Sequence, residues 1–343
     1  MYPFKQGSFA VRNAWYVAAF AQDVGRDLVS RTILNQPVVL YRKEDGQAVA
    51  VGGRCPHRHF PLGKSCLTGN TIVCGYHGIA FGPDGQCESI PSQDFVPKSY
   101  RIPAYPLVEH GLWLWIWMGD AGAADPGLLP PIEEILPAGM HTSCVAFLEV
   151  GCRYQLLNDN LLDLTHIGYL HGATIGTSLF ACVPENLTKT GWTLRSSRKI
   201  AAYQPSEMQS RIFGYDGKID SVVEFVFYAP GFHSGVGDHF VTSEHPDRAG
   251  EPLRIGRTLH AITPSTPHTA YYHFAVAADA ESDVANARTN LQPVLDEDVF
   301  ASEEIEKMLQ NLGPKHKELM LRSDENAVEG RRMLQALMDS ELA

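Results

Sequence analysis

Two short segments each place a cysteine beside a histidine. The first is Cys55-Pro-His57, and the second, separated from it by sixteen residues, is Cys74-Gly-Tyr-His77. Each segment offers one thiolate and one imidazole, which are good ligands for transition metals. Nearby glycines allow tight loops to approach a bound group closely. These glycines are Gly63, Gly69, Gly75 and Gly78. The pattern therefore predicts one metal centre held by four side chains.

Two kinds of metal centre use this set of ligands. In a Rieske [2Fe–2S] cluster, two histidines replace two of the usual four cysteines on one iron, which raises the reduction potential. Structural zinc also accepts two cysteines and two histidines, but zinc fingers usually keep the cysteines in one element and the histidines in another. Each segment here mixes the two residue types. The pattern therefore favours the iron–sulfur cluster over zinc.

A second group of residues with metal-binding chemistry lies in the segment Asn158–His171. Two neutral histidines and one carboxylate form the facial triad of non-haem Fe(II) sites, which leaves positions open for O2 and substrate. His166 and His171 are five residues apart, which is about 500° around an ideal α-helix. A straight helix would not place them on one face, so we expect an irregularity at 167–171, with Gly168 as a suitable place. The alternative is two histidines of an ordinary amphipathic helix.

The third ligand would be a carboxylate from a distant segment, and helical geometry selects Asp298. If residues 291–312 form a helix, five of their apolar side chains lie within about 60° of Asp298 and place it on an apolar face. These are Leu291, Val294, Ala301, Ile305 and Leu309. Four other acids of the segment lie about 100° or more away. They are Asp296, Glu297, Glu303 and Glu304. A buried carboxylate is costly unless it is paired or binds metal, so Asp298 is the predicted ligand and a structural salt bridge is the alternative.

The elements that must position these residues form two regions. Residues 1–120 contain short strand candidates and a tryptophan-rich segment. The continuous apolarity of this segment is typical of a strand buried on both faces, or of one covered by the second domain. These candidates are Val38–Arg42, Ala48–Val51 and Leu112–Met118. Residues 121–140 are rich in Gly, Ala and Pro and form the predicted linker.

Residues 141–343 combine strand and helix patterns. The strand candidates are Val145–Val150, Val222–Tyr228, Arg254–Thr263 and Ala270–Ala277, and the helical candidates are 155–171, 291–312 and 325–342. The last two strands read as a hairpin with a longer loop around Thr263–His268. The sequence thus predicts an α+β chain, with an N-terminal all-β domain followed by a catalytic domain of antiparallel sheet and helices.

Composition excludes several classes of protein. The chain has 343 residues, which corresponds to roughly two domains. Its formal net charge of −11 makes nucleic acid a poor partner. Apolar runs of at most seven residues are too short to span a membrane. Seven cysteines without a secretory signal do not suggest a disulfide framework, so we expect a cytoplasmic protein.

The segments CPHR and CGYHG resemble the Rieske signature of the Rieske non-haem iron oxygenases. The resemblance extends over most of the chain through three further segments. They are Val11–Ala19, Trp115–Asp120 and the motif NLLDLTHxxYLH. It is closest to the vanillate O-demethylase, dicamba monooxygenase and toluenesulfonate methyl-monooxygenase subgroup. One departure is Ile79, where many members have tryptophan, and we expect it to alter packing without loss of the cluster.

This resemblance implies the following ligands. Cys55 and Cys74 would hold one iron of the cluster, His57 and His77 the other, and His166, His171 and Asp298 a mononuclear Fe(II). The resemblance also implies a catalytic domain of helix-grip, START-like type. Asn160 and Asp163 occupy catalytic positions of the family. By analogy, Asp163 would bridge His166 and, across a homotrimer interface, His77 of the neighbouring subunit, and would carry electrons between them.

The implied activity is oxygenation of a small aromatic compound with O2 and electrons from NADH. A monooxygenase is favoured, and the alternatives are a ring cis-dihydroxylase and a Rieske electron carrier without oxygenase activity.

 The chain contains no GxGxxG segment opening a helix and no P-loop. Electrons would therefore come from a separate flavin reductase, a ferredoxin or both. On a methoxy group, insertion of one oxygen atom into a C–H bond gives a hemiacetal that collapses to a phenol and formaldehyde.

The substrate is expected to lie above the mononuclear iron, against the strands of the second region. The candidates for substrate contact are Arg257, His260, Tyr271, His273 and a loop at Gly231–Gly237. Arg257 or His260 would meet a carboxylate if the substrate is an aromatic acid. Alternation along a strand does not reveal from sequence which face looks inward, so solvent-facing or core roles for these residues stay open.

Overall fold

The computed structural model describes residues 2–5, 7–312 and 316–342. The chain divides into two compact units. The N-terminal unit comprises Val11–Leu129 and Thr263–Pro267, and the C-terminal unit comprises Met1–Ala10, Pro130–Ile262 and His268–Ala343. The domain bounds 1–120 and 141–343 and the linker 121–140 stay predictions, and residues 1 and 343 lie outside the described residues.

The N-terminal unit is built from ten short strands. They are β1 (Trp15–Phe20), β2 (Val29–Ile33), β3 (Gln36–Arg42), β4 (Ala48–Gly52), β5 (Cys66–Thr68), β6 (Thr71–Val73), β7 (Ala80–Phe81), β8 (Cys87–Ser89), β9 (Leu107–His110) and β10 (Trp113–Trp117). They form three sheets, in the orders β1-β10-β9, β2-β3-β4 and β5-β6-β7-β8. Every residue of β10 is buried, which confirms the prediction of a strand covered on both faces.

The C-terminal unit holds one antiparallel sheet of seven strands. Its strands are β11 (His141–Val150), β12 (Asn186–Thr190), β13 (Thr193–Tyr203), β14 (Ile219–Tyr228), β15 (Phe232–Val241), β16 (Pro252–Thr266) and β17 (Thr269–Ala278). Their order in the sheet is β11-β17-β16-β15-β14-β13-β12. The predicted α+β class, with an all-β domain before a domain of antiparallel sheet and helices, is confirmed.

Six helices accompany these strands in the described residues. They are α1 (Ile132–Ile135), α2 (Tyr154–Leu162), α3 (Glu207–Phe213), α4 (Glu281–Ala285), α5 (Ala287–Gln310) and α6 (Glu325–Ser340). Helix α2 packs against both α5 and α6. Among the described residues, none of the helices has the length and apolarity that crossing a membrane requires.

Three local predictions are wrong, each for a physical reason. The hairpin between β16 and β17 turns at Pro267 and His268 alone, because both strands extend further than their apolar patterns. Helix α2 ends at Leu162 instead of continuing to residue 171. The Gly231–Gly237 loop is mostly strand β15, where a Cβ on Gly235 would lie 2.8 Å from the Phe225 ring. A glycine inside a strand often marks such a close approach.

Candidate metal centres and substrate cavity

The two Cys–His segments fold into loops with the same hydrogen-bond pattern. The first follows β4, and the second joins β6 to β7. The amide of Cys55 donates to the Phe60 carbonyl at 3.0 Å, and the amide of His59 donates to the Cys55 carbonyl at 2.9 Å. In the second loop, the amide of Cys74 donates to Ile79 at 2.8 Å, and the amide of Gly78 donates to Cys74 at 2.9 Å. Matching loops therefore present the two cysteines in equivalent settings.

The left-handed backbone occurs at the same place in both loops. The φ angle is +61° at His59 and +72° at Gly78, four residues after the cysteine in each case. This conformation turns the chain sharply. Both loops therefore turn at the same distance from their cysteines.

The four side chains of these loops converge. Nδ1 of His57 lies 3.1 Å from Nδ1 of His77, and the Cys74 side chain hydrogen-bonds to Cys55. Burial, and then the neighbouring Cys74, raise the pKa of the Cys55 thiol. Both cysteines are buried and both histidines are exposed. Two free thiols and two ring nitrogens of one kind fit the set of ligands that a Rieske cluster requires.

The end of α2 positions the second group of candidate ligands. After Leu162 the chain passes into a 3-10 turn over Leu164–Gly168, which carries His166, and His171 lies in the turns that follow. The helix thus ends before the first histidine, a little earlier than the expected irregularity at 167–171. A Cβ on Gly168 would lie 2.7 Å from Cα of Ser178, so glycine allows the turn to pack closely.

The structure brings His166, His171 and Asp298 together. One ligand atom from each lies within 4.8 Å of the others. Oδ1 of Asp298 is 3.0 Å from Nε2 of His171 and 3.6 Å from Nε2 of His166. Asp298 is buried on α5, which matches its expected position on the apolar face. Two imidazoles and a carboxylate converging on one point fit a non-haem Fe(II) site.

Neighbouring groups hold these three side chains in place. Nδ2 of Asn160 donates to Oδ1 of Asp298 at 3.0 Å. Nδ1 of His171 lies 2.7 Å from Oε2 of Glu297, which also accepts from the Thr174 hydroxyl at 3.0 Å. The carboxylate fixes the His171 ring, as is usual for histidines that bind metal. Sequence reasoning missed Glu297, because its place off the apolar stripe of α5 gave no signal of burial.

The histidine pKa values reflect these surroundings. Burial lowers the pKa of His166, although Asp298 opposes the shift. Burial alone would also lower the pKa of His171, but hydrogen bonds with Asp298 and Glu297 outweigh it and raise the pKa. The site thus contains His166, which favours the neutral form, and His171, which is hydrogen-bonded to two carboxylates.

Asp163 lies where α2 ends and the 3-10 turn begins. Its carboxylate accepts from the amide of Thr165 at 2.9 Å and from the Thr165 hydroxyl at 2.6 Å. Nδ1 of His166 bonds to the main-chain carbonyl of Asp163 at 2.5 Å, and not to its carboxylate. Within one chain, therefore, Asp163 orients His166 through its backbone.

A cavity of about 220 Å³ opens beside the three ligands. Apolar side chains dominate its wall, with a few polar groups from β15, β16 and β17. An apolar cavity of about 150 Å³ is large enough to hold benzene, so this volume suits a substituted aromatic ring. The polar side chains contributed by the three strands are His239, Arg254, Thr258, His260 and Tyr272.

Of the four candidate side chains only His260 lines this cavity, and Gly235, Val236 and Gly237 of the fifth candidate, the Gly231–Gly237 segment, line it as well. His260 is buried in the wall, where its Nδ1 lies 2.6 Å from the Tyr272 hydroxyl. Burial lowers the pKa of His260 to about 4. Arg257 instead pairs with Asp238 at 3.1 Å, and neither it nor Tyr271 and His273 belongs to the cavity wall.

Strand alternation explains this division. Arg254, Thr258 and His260 have the same parity along β16 and share one face, whereas Arg257 has the other parity. On β17, Tyr272 faces the cavity, while Tyr271 and His273 pack against Phe147 of β11. Arg254 is an even number of residues from His260 on the same strand. Sequence reasoning could therefore have placed both side chains on one face.

His239 is a further cavity residue that sequence reasoning missed. It pairs across the sheet with Arg254. Its Nδ1 lies 2.7 Å from the Ser221 hydroxyl, which is 3.0 Å from the Tyr203 hydroxyl. Burial, and then the charge of Arg254, lower the pKa of His239 to about 4. His239 therefore lies beside Arg254 as a neutral ring near pH 7.

His166 also lines a second cavity, of about 620 Å³. Asn160, Asp163 and His166 line it together with residues 316–321. Leu319 and Leu321 in this stretch are strongly exposed, at 93% and 71%. Asp163 thus faces a broad opening with an apolar rim.

Comparisons with known proteins cover both units. Residues 14–106 match the family model for the Rieske [2Fe-2S] domain, and residues 150–340 match that for the vanillate O-demethylase oxygenase C-terminal domain. The iron–sulfur subunit of a toluene-4-sulfonate monooxygenase system from Comamonas testosteroni is 31% identical over 96% of this chain and 98% of its own. The oxygenase component of dicamba O-demethylase from Stenotrophomonas maltophilia is 30% identical over 97% and 99%.

Solved structures agree with these relatives. The crystal structure of dicamba monooxygenase bound to 3,6-dichlorosalicylic acid matches with a TM-score of 0.88 at 29% identity. The match covers 98% of this chain and 100% of that chain.

Proposed function

The chain belongs to the Rieske non-haem iron oxygenases, and from this premise we propose that it monooxygenates a small aromatic compound, by O-demethylation or methyl hydroxylation. It is a Rieske terminal oxygenase of the kind found in monooxygenase systems. The observation that carries the proposal is the convergence of His166, His171 and Asp298 beside an apolar cavity of the size of a substituted ring.

In this proposal the two loops of the N-terminal unit hold the cluster. Cys55 and Cys74 bind one iron through sulfur, and His57 and His77 bind the other through Nδ1. His166, His171 and Asp298 hold Fe(II). When bound, the cluster supplies electrons and the Fe(II) offers open positions for O2 beside the substrate.

The neighbouring side chains keep the Fe(II) ligands in the required form. Nδ1 of His171 donates to Glu297, so the lone pair on Nε2 faces the other two ligands. Nδ1 of His166 likewise donates to the Asp163 carbonyl, so the lone pair on its Nε2 is free to bind metal. Asn160 donates to one oxygen of Asp298 and fixes the orientation of that carboxylate.

His260 orients the substrate in the cavity. The Tyr272 hydroxyl is buried, and Nδ1 of His260 is its hydrogen-bond partner among the described residues. A buried O–H needs an acceptor, so Tyr272 donates to Nδ1 and the ring proton lies on Nε2. That N–H has no partner among the described residues. It is the donor for an oxygen atom of the substrate.

Electrons come from NADH through a separate flavin reductase, a ferredoxin or both. The names of two relatives support this, since one is a subunit of a monooxygenase system and the other an oxygenase component. The chain acts as a homotrimer in which Asp163 links His166 to His77 of a neighbouring subunit. The opening in front of Asp163 and its exposed apolar rim support a subunit contact there.

The test is a screen of methoxylated and methylated aromatic acids with the holoenzyme and a reductase. We expect NADH and O2 consumption that depends on one substrate class, with formaldehyde released from a methoxy compound. Labelling with 18O2 should place one labelled oxygen in the initial hydroxylated product. His166→Ala should lose turnover and mononuclear iron while it keeps the cluster absorption.

Other outcomes would contradict the proposal in distinct ways. Two labelled oxygens in a cis-diol would indicate a ring dihydroxylase. About two irons per chain, in place of about three, would indicate an electron carrier without the mononuclear site. Unchanged iron content in His166→Ala would remove the proposed Fe(II) site.

A further inference from the structure

Arg254 brings a positive charge to the wall of the apolar cavity. It lies on β16, directly across from His239 on β15, and both side chains line the cavity. We infer that Arg254 binds an anionic group of the substrate, a carboxylate or a sulfonate, and so selects aromatic acids over neutral aromatic compounds. The inference rests on the proposed function, because it assigns the substrate class of the same cavity.

The guanidinium of Arg254 lacks the partners that a buried arginine usually has. The nearest acid, Asp283, is 4.0 Å from Nε, and Nε is buried without a hydrogen bond among the described residues. An arginine carries five N–H donors, and burial without acceptors is costly. Burial lowers the pKa of Arg254 even though Asp283 and Asp279 oppose the shift. The charge is thus only partly compensated by the protein.

The other basic groups at this wall do not replace Arg254. Among the described residues that line the cavity, Arg254 is the only arginine or lysine. Burial lowers the pKa values of His239 and His260 to about 4, so both rings are neutral near pH 7. A planar guanidinium also matches the two oxygens of a carboxylate or sulfonate. The site therefore offers one permanent charge to one anionic group.

Arg257 provides a matched control on the same strand. It lies three residues further along β16, so it faces the opposite side of the sheet. Its guanidinium already pairs with Asp238 at 3.1 Å, and it does not line the cavity. Loss of Arg257 removes the same charge from the chain without changing the cavity wall.

The experiment measures binding by calorimetry to the anaerobic holoenzyme near neutral pH. The probes are the methoxybenzoate isomers and toluene-4-sulfonate, each compared with its neutral amide or sulfonamide. We expect the native protein to bind at least one acid more tightly than its neutral partner. Arg254→Gln should weaken binding of that acid by roughly 10- to 100-fold, with little change for the neutral partner, and Arg254→Lys should keep part of the preference.

Two further variants separate recognition from a structural role. Arg257→Gln should bind the acids as the native protein does. Asp283→Asn should bind the acids about two- to fivefold more tightly, because the competing carboxylate is removed. A purely structural role for Arg254 would give no gain in Asp283→Asn. The melting temperature and the cluster absorption of each variant check its folding.

The inference is overturned if the native protein binds no acid of the panel better than its neutral partner. It is also overturned if Arg254→Gln keeps the preference. Selective binding of an acid without substrate-dependent O2 consumption would contradict the proposed function while leaving the anion site in place. Oxygenation of neutral compounds only would keep the proposed function and remove the role of Arg254.

Discussion

Adjacent acids on α5 contact the mononuclear site in different ways. Asp298 approaches both His166 and His171 through one oxygen, whereas the hydrogen bonds of the Glu297 carboxylate are with His171 and Thr174. Consecutive helical residues point about 100° apart. The Asp298 side chain therefore enters the metal site, whereas Glu297 contacts Nδ1 of His171 from outside it.

This arrangement predicts that Glu297→Gln weakens iron binding without affecting the cluster. Loss of a carboxylate behind a metal-binding histidine typically costs about 10- to 100-fold in metal affinity. The measurement is mononuclear iron retained after dialysis against a chelator, with the cluster absorption as an internal standard. Asp296→Asn is the control, since Asp296 is exposed and bonds only to Gln292 among the described residues. Equal iron retention in Glu297→Gln and the native protein would contradict the prediction.

Sequence reasoning reached the groups that converge here because metal chemistry restricts residue types. A carboxylate on an apolar helical face is costly unless it is paired or binds metal, and two segments that each pair a cysteine with a histidine match the ligand set of a Rieske cluster. The cavity wall was harder to predict. Its residues are ordinary strand residues, and whether Arg254 or Arg257 faces inward depends on which side of the sheet the helices cover.

At the scale of elements, α5 is fixed to the start of α2 by a buried ion pair. Nε of Arg153 donates to Oε2 of Glu306 at 2.6 Å, and Nη2 donates to Oε1 at 2.9 Å. His268 lies 2.8 Å from the same carboxylate. Burial alone would raise the pKa of Glu306, but these hydrogen bonds lower it to about 2. The pair holds the helix that carries Asp298 against the helix that leads to His166.

The lowered pKa predicts how acid affects stability. The Glu306 carboxylate stabilises the fold above its unfolded pKa, about 4.5, and this contribution is lost as the pH falls towards about 2. Glu306→Gln should lower the free energy of unfolding by about 3 kcal/mol at neutral pH and should lack this part of the acid dependence. Urea denaturation at a series of pH values measures both effects.

Glu304→Gln is the control for this prediction, because Glu304 is partly exposed and pairs with Lys307. We expect a change within about 0.5 kcal/mol at that surface position. The prediction fails if Glu306→Gln and the native protein lose stability equally between these pH values.

Helices and strands were largely predictable where their pattern of apolar residues was long. The predicted helices at 291–312 and 325–342 correspond to α5 and α6, and the tryptophan-rich strand corresponds to β10. Prediction failed where tertiary packing decided the outcome. Gly235 reads as a loop residue, yet the Phe225 ring and the Thr258 side chain leave no space for a side chain in the strand.

At the scale of the whole molecule, the proposed homotrimer predicts that electrons cross between subunits. Asp163→Asn should keep both metal centres and lose most turnover, and His77→Ala should lose the cluster. If the two variants are co-expressed with different affinity tags and purified through both tags, every trimer contains both variants. One of the three interfaces in each such ring then has an intact His77 facing an intact Asp163, so about one third of native turnover should return.

A mixture in which turnover does not return would place electron transfer within a single chain. The control is the same purification with two tagged native chains, which sets the value for full activity. An active, tightly coupled Asp163→Asn protein would remove the proposed role of Asp163 whatever the mixture shows.

The candidate metal ligands of the C-terminal unit come from the turns that follow α2 and from α5, whereas most polar groups lining the cavity beside them come from β15, β16 and β17. Substitutions on these strands can therefore change which molecule is accepted without displacing a ligand. A duplicated gene of this architecture can acquire a new substrate in a few steps while its oxidative chemistry is inherited intact. Directed evolution toward a new substrate should begin at alternate residues of those three strands.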